Sequence, residues 1–150
     1  MSEDRPGYED VVMSPLLGAA RRTYTTAVRT ALFDAGFDDM PRSGGAVIAR
    51  IARQGRNLRD VAGELAVSKQ AASQLVDTLV ARGYVERDPD PHDRRRVTIG
   101  LTERGRSAAA EIARAIDQVD AELAAKVSAE DLARTRATLG VLADMGHTDS

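Results

Sequence analysis

The chain has 150 residues, 43% of them apolar and only 3% aromatic, which fits one domain with a real core and a mostly helical fold. It has no cysteine, which excludes disulfides, thiolate metal sites and thiol redox sensing. No apolar run approaches the roughly 20 residues of a membrane span and the N-terminus is acidic rather than signal-like, so a soluble cytoplasmic protein is expected. The net charge of −2 conceals a basic centre: residues 42–106 hold 13 basic and 8 acidic side chains, between flanks at −3 and −4. Such asymmetry suits a protein that attracts phosphate with one face.

Residues 1–12 are polar and read as frayed. Ser14-Pro15 reads as a helix start, with Ser14 as N-cap and Pro15 at the first helical position. Leu17, Ala20, Tyr24, Ala27, Val28, Ala31 and Leu32 recur at helical spacing up to a stop at Gly36. After the break at Asp38-Asp39-Met40-Pro41, a second helix carries Val47, Ile48 and Ile51, with a start weakened by Gly44-Gly45 and an end at Gly55.

Asn57 caps a third helix, with Asp60 as a capping-box-like partner and Leu58, Val61, Ala62 and Leu65 on one side. Ser68 opens a fourth, whose buried face is Ala72, Leu75, Val76, Leu79 and Val80 and whose stop is Gly83. Tyr84-Val85-Glu86-Arg87 and Val97-Thr98-Ile99-Gly100-Leu101 read as strands around the turn-rich loop Asp88 to Asp93, forming a hairpin. Thr102 caps a long fifth helix with Ala108, Ile112, Ile116, Val119 and Leu123 as its stripe. Ser128 with Asp131 opens a sixth, carrying Leu132, Leu139, Leu142 and Met145.

Two short helices followed by a two-stranded hairpin make a winged helix-turn-helix, within a mostly α (α+β) fold. In that layout one helix braces the next, which presents its N-terminal edge to DNA bases. Val61 and Leu65 against Leu75 and Leu79 supply the brace. Lys69, Gln70, Ser73, Gln74 and Asp77 occupy the outward face. Gln70 and Gln74, one turn apart, suit adenine edges, Lys69 guanine or phosphate, and Ala71 a thymine methyl. Ser68 and the free N–H groups at the helix start suit a phosphate. Arg94, Arg95 and Arg96 follow Asp93 at the hairpin tip. Three adjacent like charges repel in isolation but become favourable beside a polyanion, and a guanidinium there suits a narrow minor groove. Asp93 is expected to orient one of them through a bidentate pair.

Ser68 through Gly83, then Asp93-Arg94-Arg95, then Leu101-Thr102-Glu103-Arg104-Gly105 resemble the MarR family of bacterial winged-helix transcription regulators. The resemblance is close over about 50 residues, and the flanking helices match in kind and order. It implies a homodimer with the first, fifth and sixth helices interlocked. Ser68 to Gln74 then match the reading edge, and Asp93 and Arg95 the wing pair. It further implies a repressor released by small aromatic or phenolic ligands, by oxidation or by metals. Without cysteine the oxidation route is closed, and with only His92 and His147 as imidazoles a zinc-sensing site is not expected. The segment from Pro41 to Gly45 is also richer in glycine than is usual where the family's second helix begins.

A single MarR-like domain over 1–150 is therefore expected, with residues 40–106 as the DNA-binding part and 14–36 and 102–145 as a helical dimerisation region. Leu16, Leu17, Ile116, Val119, Leu132, Leu139 and Leu142 exceed what a small winged domain can bury alone, and a twofold dimer on double-stranded DNA would cover them. Tyr24, Phe33, Phe37 and Met40 are candidate lining residues for an effector pocket, with core packing as their competing role. No glycine-rich phosphate loop, HExxH or GxSxG is present, so no catalytic residue, cofactor or metal site is assigned and no enzyme is expected. The alternative is a winged-helix interaction module or anti-repressor that does not bind DNA.

Overall fold

Residues 7–54 and 68–146 are described by the structure, a computed structural model. In chain order they form α1 (Met13–Asp34), α2 (Gly44–Gln54), α3 (Lys69–Ala81), β1 (Val85–Pro89), β2 (Val97–Leu101), α4 (Glu103–Ala124) and α5 (Ala129–Met145). The helix expected after Asn57, with its apolar side Leu58, Val61, Ala62 and Leu65, lies outside the described residues, as does the stop at Gly55. The chain forms two compact units, Met1–Ile116 and Asp117–Ser150.

Three of the N-caps expected from sequence form. The Ser68 hydroxyl accepts from the Ala71 N–H at 3.1 Å and starts α3. Thr102 Oγ1 accepts from the Gly105 N–H at 3.0 Å and starts α4. Ser128 Oγ accepts from the Asp131 N–H at 3.0 Å and starts α5. Each satisfies one of the N–H groups that a helix start leaves without a partner.

The start of α1 differs. It begins at Met13, with Val12 in the cap position and no side-chain cap, and not at Pro15 behind a Ser14 cap. Proline lacks only a donor that the first turn does not use, so Pro15 is as well placed in the middle of that turn as at its beginning.

Two helices end in the same way. Gly36 (φ 86°) and Gly83 (φ 74°) adopt the left-handed conformation in which glycine has no Cβ to strain. After α1, the Gly36 N–H bonds Phe33 O at 3.0 Å and the Phe37 N–H bonds Leu32 O at 2.8 Å. After α3, the Gly83 N–H bonds Val80 O at 3.0 Å and the Tyr84 N–H bonds Leu79 O at 2.9 Å. Both pairs are Schellman motifs, so Phe37 and Tyr84 hold equivalent positions.

β1 and β2 pair antiparallel, from Val85 opposite Leu101 to Pro89 opposite Val97. β1 starts one residue later and ends two residues later than the expected Tyr84–Arg87. The Tyr84 N–H closes α3 while its carbonyl accepts from the Thr102 N–H at 3.1 Å, so Tyr84 joins helix to wing instead of lying within the strand. At the other end the ladder runs on to Pro89, a strand terminus where a missing donor costs little.

The core of the first unit gathers Leu32 of α1, Val47 and Ile48 of α2, Val76 and Leu79 of α3, Ile99 of β2 and Ile112 of α4. Burying side chains of this size contributes about 1.5–3 kcal/mol each before entropy is counted. Gly105 fits here for want of a side chain, because a Cβ at that position would lie 2.0 Å from the Tyr84 carbonyl oxygen. The glycine therefore lets the first turn of α4 sit directly against the joint between α3 and β1. In the second unit α5 buries none of its residues.

Candidate nucleic-acid interface

The expected reading helix is α3. Ala72, Val76 and Leu79 are fully buried, which fixes its rotation about its own axis. Ser68, Lys69, Gln70, Ala71, Gln74 and Asp77 are then exposed and Ser73 is half-buried. Gln70, Gln74 and Asp77 follow one another at i, i+4 and i+7, so they form a single stripe. At the far end of that stripe, Asp77 Oδ1 meets Arg87 Nη2 of β1 at 2.5 Å. The outward stripe of α3 is thus bridged to the base of the wing.

The wing tip is ordered by two aspartates. Asp90 Oδ1 accepts from the His92 N–H at 2.8 Å, and the Asp90 N–H bonds Arg96 O at 2.9 Å. Asp93 Oδ1 accepts from the Arg95 N–H at 3.0 Å, and the Arg96 N–H closes the turn on Asp93 O at 2.9 Å. Aspartate carboxylates commonly stabilise turns in this way, standing in for a main-chain acceptor. Arg94 and Arg95 take the two central positions of that turn, and both are exposed. Arg96 differs from them, since its Nε lies 3.7 Å from Asp93 Oδ2. The expected bidentate pair from Asp93 to an arginine side chain does not form. Asp93 holds Arg95 through the backbone and touches only Arg96 by charge.

The candidate pocket residues do not share one environment. Phe33 is 67% exposed at the end of α1, whereas Phe37 and Met40 pack against the core. Tyr24 is half-buried on α1. Among the candidate dimerisation residues, Leu139 and Leu142 are exposed, while Leu16, Leu17, Ile116, Val119 and Leu132 are partly covered. Among the described residues, no group of three or more His, Asp or Glu could hold a metal, and no helix is long and apolar enough to cross a membrane.

Sequence reading missed a polar cluster at the joint between α3 and the wing. Asp39, in the link between α1 and α2, receives the Tyr84 hydroxyl and two guanidinium N–H groups of Arg104, at 2.9 and 3.2 Å. The Asp39 carboxyl is held below its usual range, chiefly by the Tyr84 hydrogen bond, with Arg104 assisting against partial burial. The Tyr84 phenol is pushed up to about 12, by burial first and then by its bond to Asp39. No sequence spacing could have announced this cluster, because its members lie far apart along the chain and none belongs to a periodic stripe.

A MarR family model matches residues 38–96, the stretch that runs from Asp38 to the last wing arginine. Among solved structures, a MarR-family transcriptional regulator from Rhodococcus sp. RHA1 is 27% identical, with TM-score 0.67 over 85% of this chain and 91% of that one. The Staphylococcus aureus MepR–DNA complex superposes with TM-score 0.74 at 19% identity, over 91% of this chain and 98% of MepR. Apo MarR from E. coli gives TM-score 0.66 at 21% identity, over 89% and 98%. No curated protein matches by sequence. With the winged helix described above, these matches identify the class of fold: residues 38–96 match the MarR family, and the chain has the fold of MarR-type winged helix-turn-helix proteins. That family is one of regulators and not of enzymes.

Proposed function

We propose that this chain is a homodimeric, cytoplasmic repressor that reads a pseudo-palindromic operator in double-stranded DNA. The N-terminal edge of α3, from Ser68 to Gln74, enters the major groove. Arg94 and Arg95 reach the adjacent minor groove and its phosphates, with Arg96 beside them. The observation that carries the reading is the Asp77–Arg87 bridge, which ties the outward stripe of α3 to the wing. It supports a single surface on which the two features act together. The MepR complex with DNA is a relative of the same fold in that act.

The dimer rests on apolar surface that one copy leaves open. Leu139, Leu142 and Met145 of α5 are 40%, 44% and 66% exposed, and α1 buries only Leu32 along its 22 residues. A second copy would cover Leu16, Leu17, Ile116, Val119, Leu132, Leu139 and Leu142. It would set two reading helices about 34–36 Å apart, one turn of DNA. Release by a small aromatic or phenolic effector completes the proposal.

The test is a salt titration of DNA affinity for the wild type and for Arg95→Ala. Each lost phosphate contact lowers the slope of log affinity against log salt by about 0.9, so about two units are expected from two half-sites. An unchanged affinity and slope would refute the role given to Arg95. Absence of any gel shift with the DNA upstream of the gene would favour the protein-binding alternative.

A further inference from the structure

The cluster around Asp39 joins three separate chain segments, two of which adjoin the proposed DNA surface. Tyr84 and Arg82 form the joint between the end of α3 and the start of the wing. Arg104 lies in the first turn of the helix that leaves the wing. Asp39 itself follows the Schellman turn of α1. Its carboxylate takes the Tyr84 hydroxyl on Oδ1 and the Arg104 fork on both oxygens, at 2.9 and 3.2 Å. Its main-chain oxygen accepts from the Arg82 guanidinium, and the Arg82 carbonyl in turn accepts from Arg104. The Arg104 guanidinium also lies 4.3 Å from the centre of the Tyr84 ring and 5.9 Å from that of Phe37.

We infer that Asp39 is a positioning residue for DNA reading, a latch that sets the angle between the recognition helix and the wing without touching DNA. The inference rests on the DNA-binding reading above. A lone surface ion pair would be too weak for such a role. Here a two-pronged arginine contact, a phenol donor and a stacked cation share one acceptor, and each constrains the others. The geometry of the latch is specific. It grips the C-terminal end of α3 and both ends of the hairpin, so its loss frees the reading edge and the wing arginines to move independently.

A second consequence is electrostatic. The Asp39 carboxylate pairs with Arg104 next to the reading elements, while Arg82 bonds only the Asp39 main-chain oxygen. Without the carboxylate, Arg104 becomes available to any phosphate, and attraction that ignores sequence increases. Loss of the latch therefore lowers discrimination by weakening the specific complex while sparing the non-specific one.

The experiment uses the full chain and two duplexes, one selected by the wild type from a randomised library and one scrambled. Asp39→Asn is expected to lose about tenfold in affinity for the selected duplex and to stay within about twofold on the scrambled one. Tyr84→Phe, which removes only the hydroxyl, is expected to move the same way by about threefold. Arg104→Lys, which loses the planar fork but keeps the charge, should resemble Asp39→Asn. Binding is measured well below each variant's melting temperature. If Asp39→Asn and Tyr84→Phe discriminate as the wild type does, or lose equally on both duplexes, the latch is overturned while DNA binding stands. A wild type that selects no duplex removes the DNA reading and the latch with it.

Discussion

Phe37 and Tyr84 are the same residue of the same motif in two different helices. Each follows a left-handed glycine and returns its N–H to the helix it leaves, and the two rings meet with centroids 6.1 Å apart at a tilt of 54°. Tilted rings at that separation attract edge to face. The ends of α1 and α3 are therefore packed on one another, with the Arg104 guanidinium over both rings. Phe37 is in this way part of the support behind α3.

Tyr84 gives the fold an alkaline limit. Its phenol is raised from 10.0 to about 12, so the unfolded chain releases the proton first. Between those values the unfolded state binds fewer protons, and stability must fall as pH rises, by at most about 1.4 kcal/mol per pH unit. Denaturant melts from pH 9 to 12 should show this slope in the wild type and its loss in Tyr84→Phe. Parallel curves for the two proteins would contradict the burial and bonding assigned to the phenol.

Gly105 has no room for a methyl group. Gly105→Ala would drive a Cβ into the Tyr84 carbonyl, and α4 would have to retreat from the wing joint. A cost of about 1–3 kcal/mol is expected, or roughly 3–10 °C in melting temperature for a chain of this size. Thermal unfolding followed by circular dichroism measures it, and an unchanged midpoint would show that the approach is looser than described.

The Asp77–Arg87 pair should separate stability from binding. Both side chains are substantially exposed, so neither Asp77→Asn nor Arg87→Ala is expected to cost more than about 1 kcal/mol of folding stability. Near DNA their signs diverge. Asp77→Asn removes a negative charge from the reading stripe and releases Arg87, so affinity should rise at low salt. Arg87→Ala leaves Asp77 uncompensated, so affinity should fall, and high salt should shrink both effects. Changes of the same sign in anisotropy titrations would exclude this electrostatic account.

Asp93 acts on the wing through an acceptor more than through a charge. Asp93→Asn can still accept from the Arg95 N–H, whereas Asp93→Ala cannot. The alanine variant should lose roughly two- to tenfold in DNA affinity, the net worth of one hydrogen bond, and the asparagine variant less. Equal losses in both would return the role to the ion pair with Arg96.

What could be read from the sequence was what local chemistry decides. Ser68, Thr102 and Ser128 were legible as caps because a hydroxyl satisfies an N–H three residues away, whatever the rest of the fold does. Gly36 and Gly83 were legible as stops, and the outward face of α3 followed from the period of Ala72, Val76 and Leu79. The start of α1 was misplaced because proline is tolerated throughout a first turn, so Pro15 marks the turn but not its first residue. The shift of β1 was hidden because Tyr84 has the composition of a strand residue while its N–H is committed to Leu79. Asp39 and Arg104 were invisible as partners, since they are 65 positions apart and only the folded wing joint brings them together.

Hydroxyl-radical footprinting on the DNA upstream of the gene, with and without candidate aromatic acids, tests the central claim most directly. Two protected segments related by a twofold axis and about one helical turn apart are predicted, with minor-groove protection beside each that Arg95→Ala removes. Uniform, asymmetric or absent protection, or a footprint that Arg95→Ala leaves untouched, would contradict it.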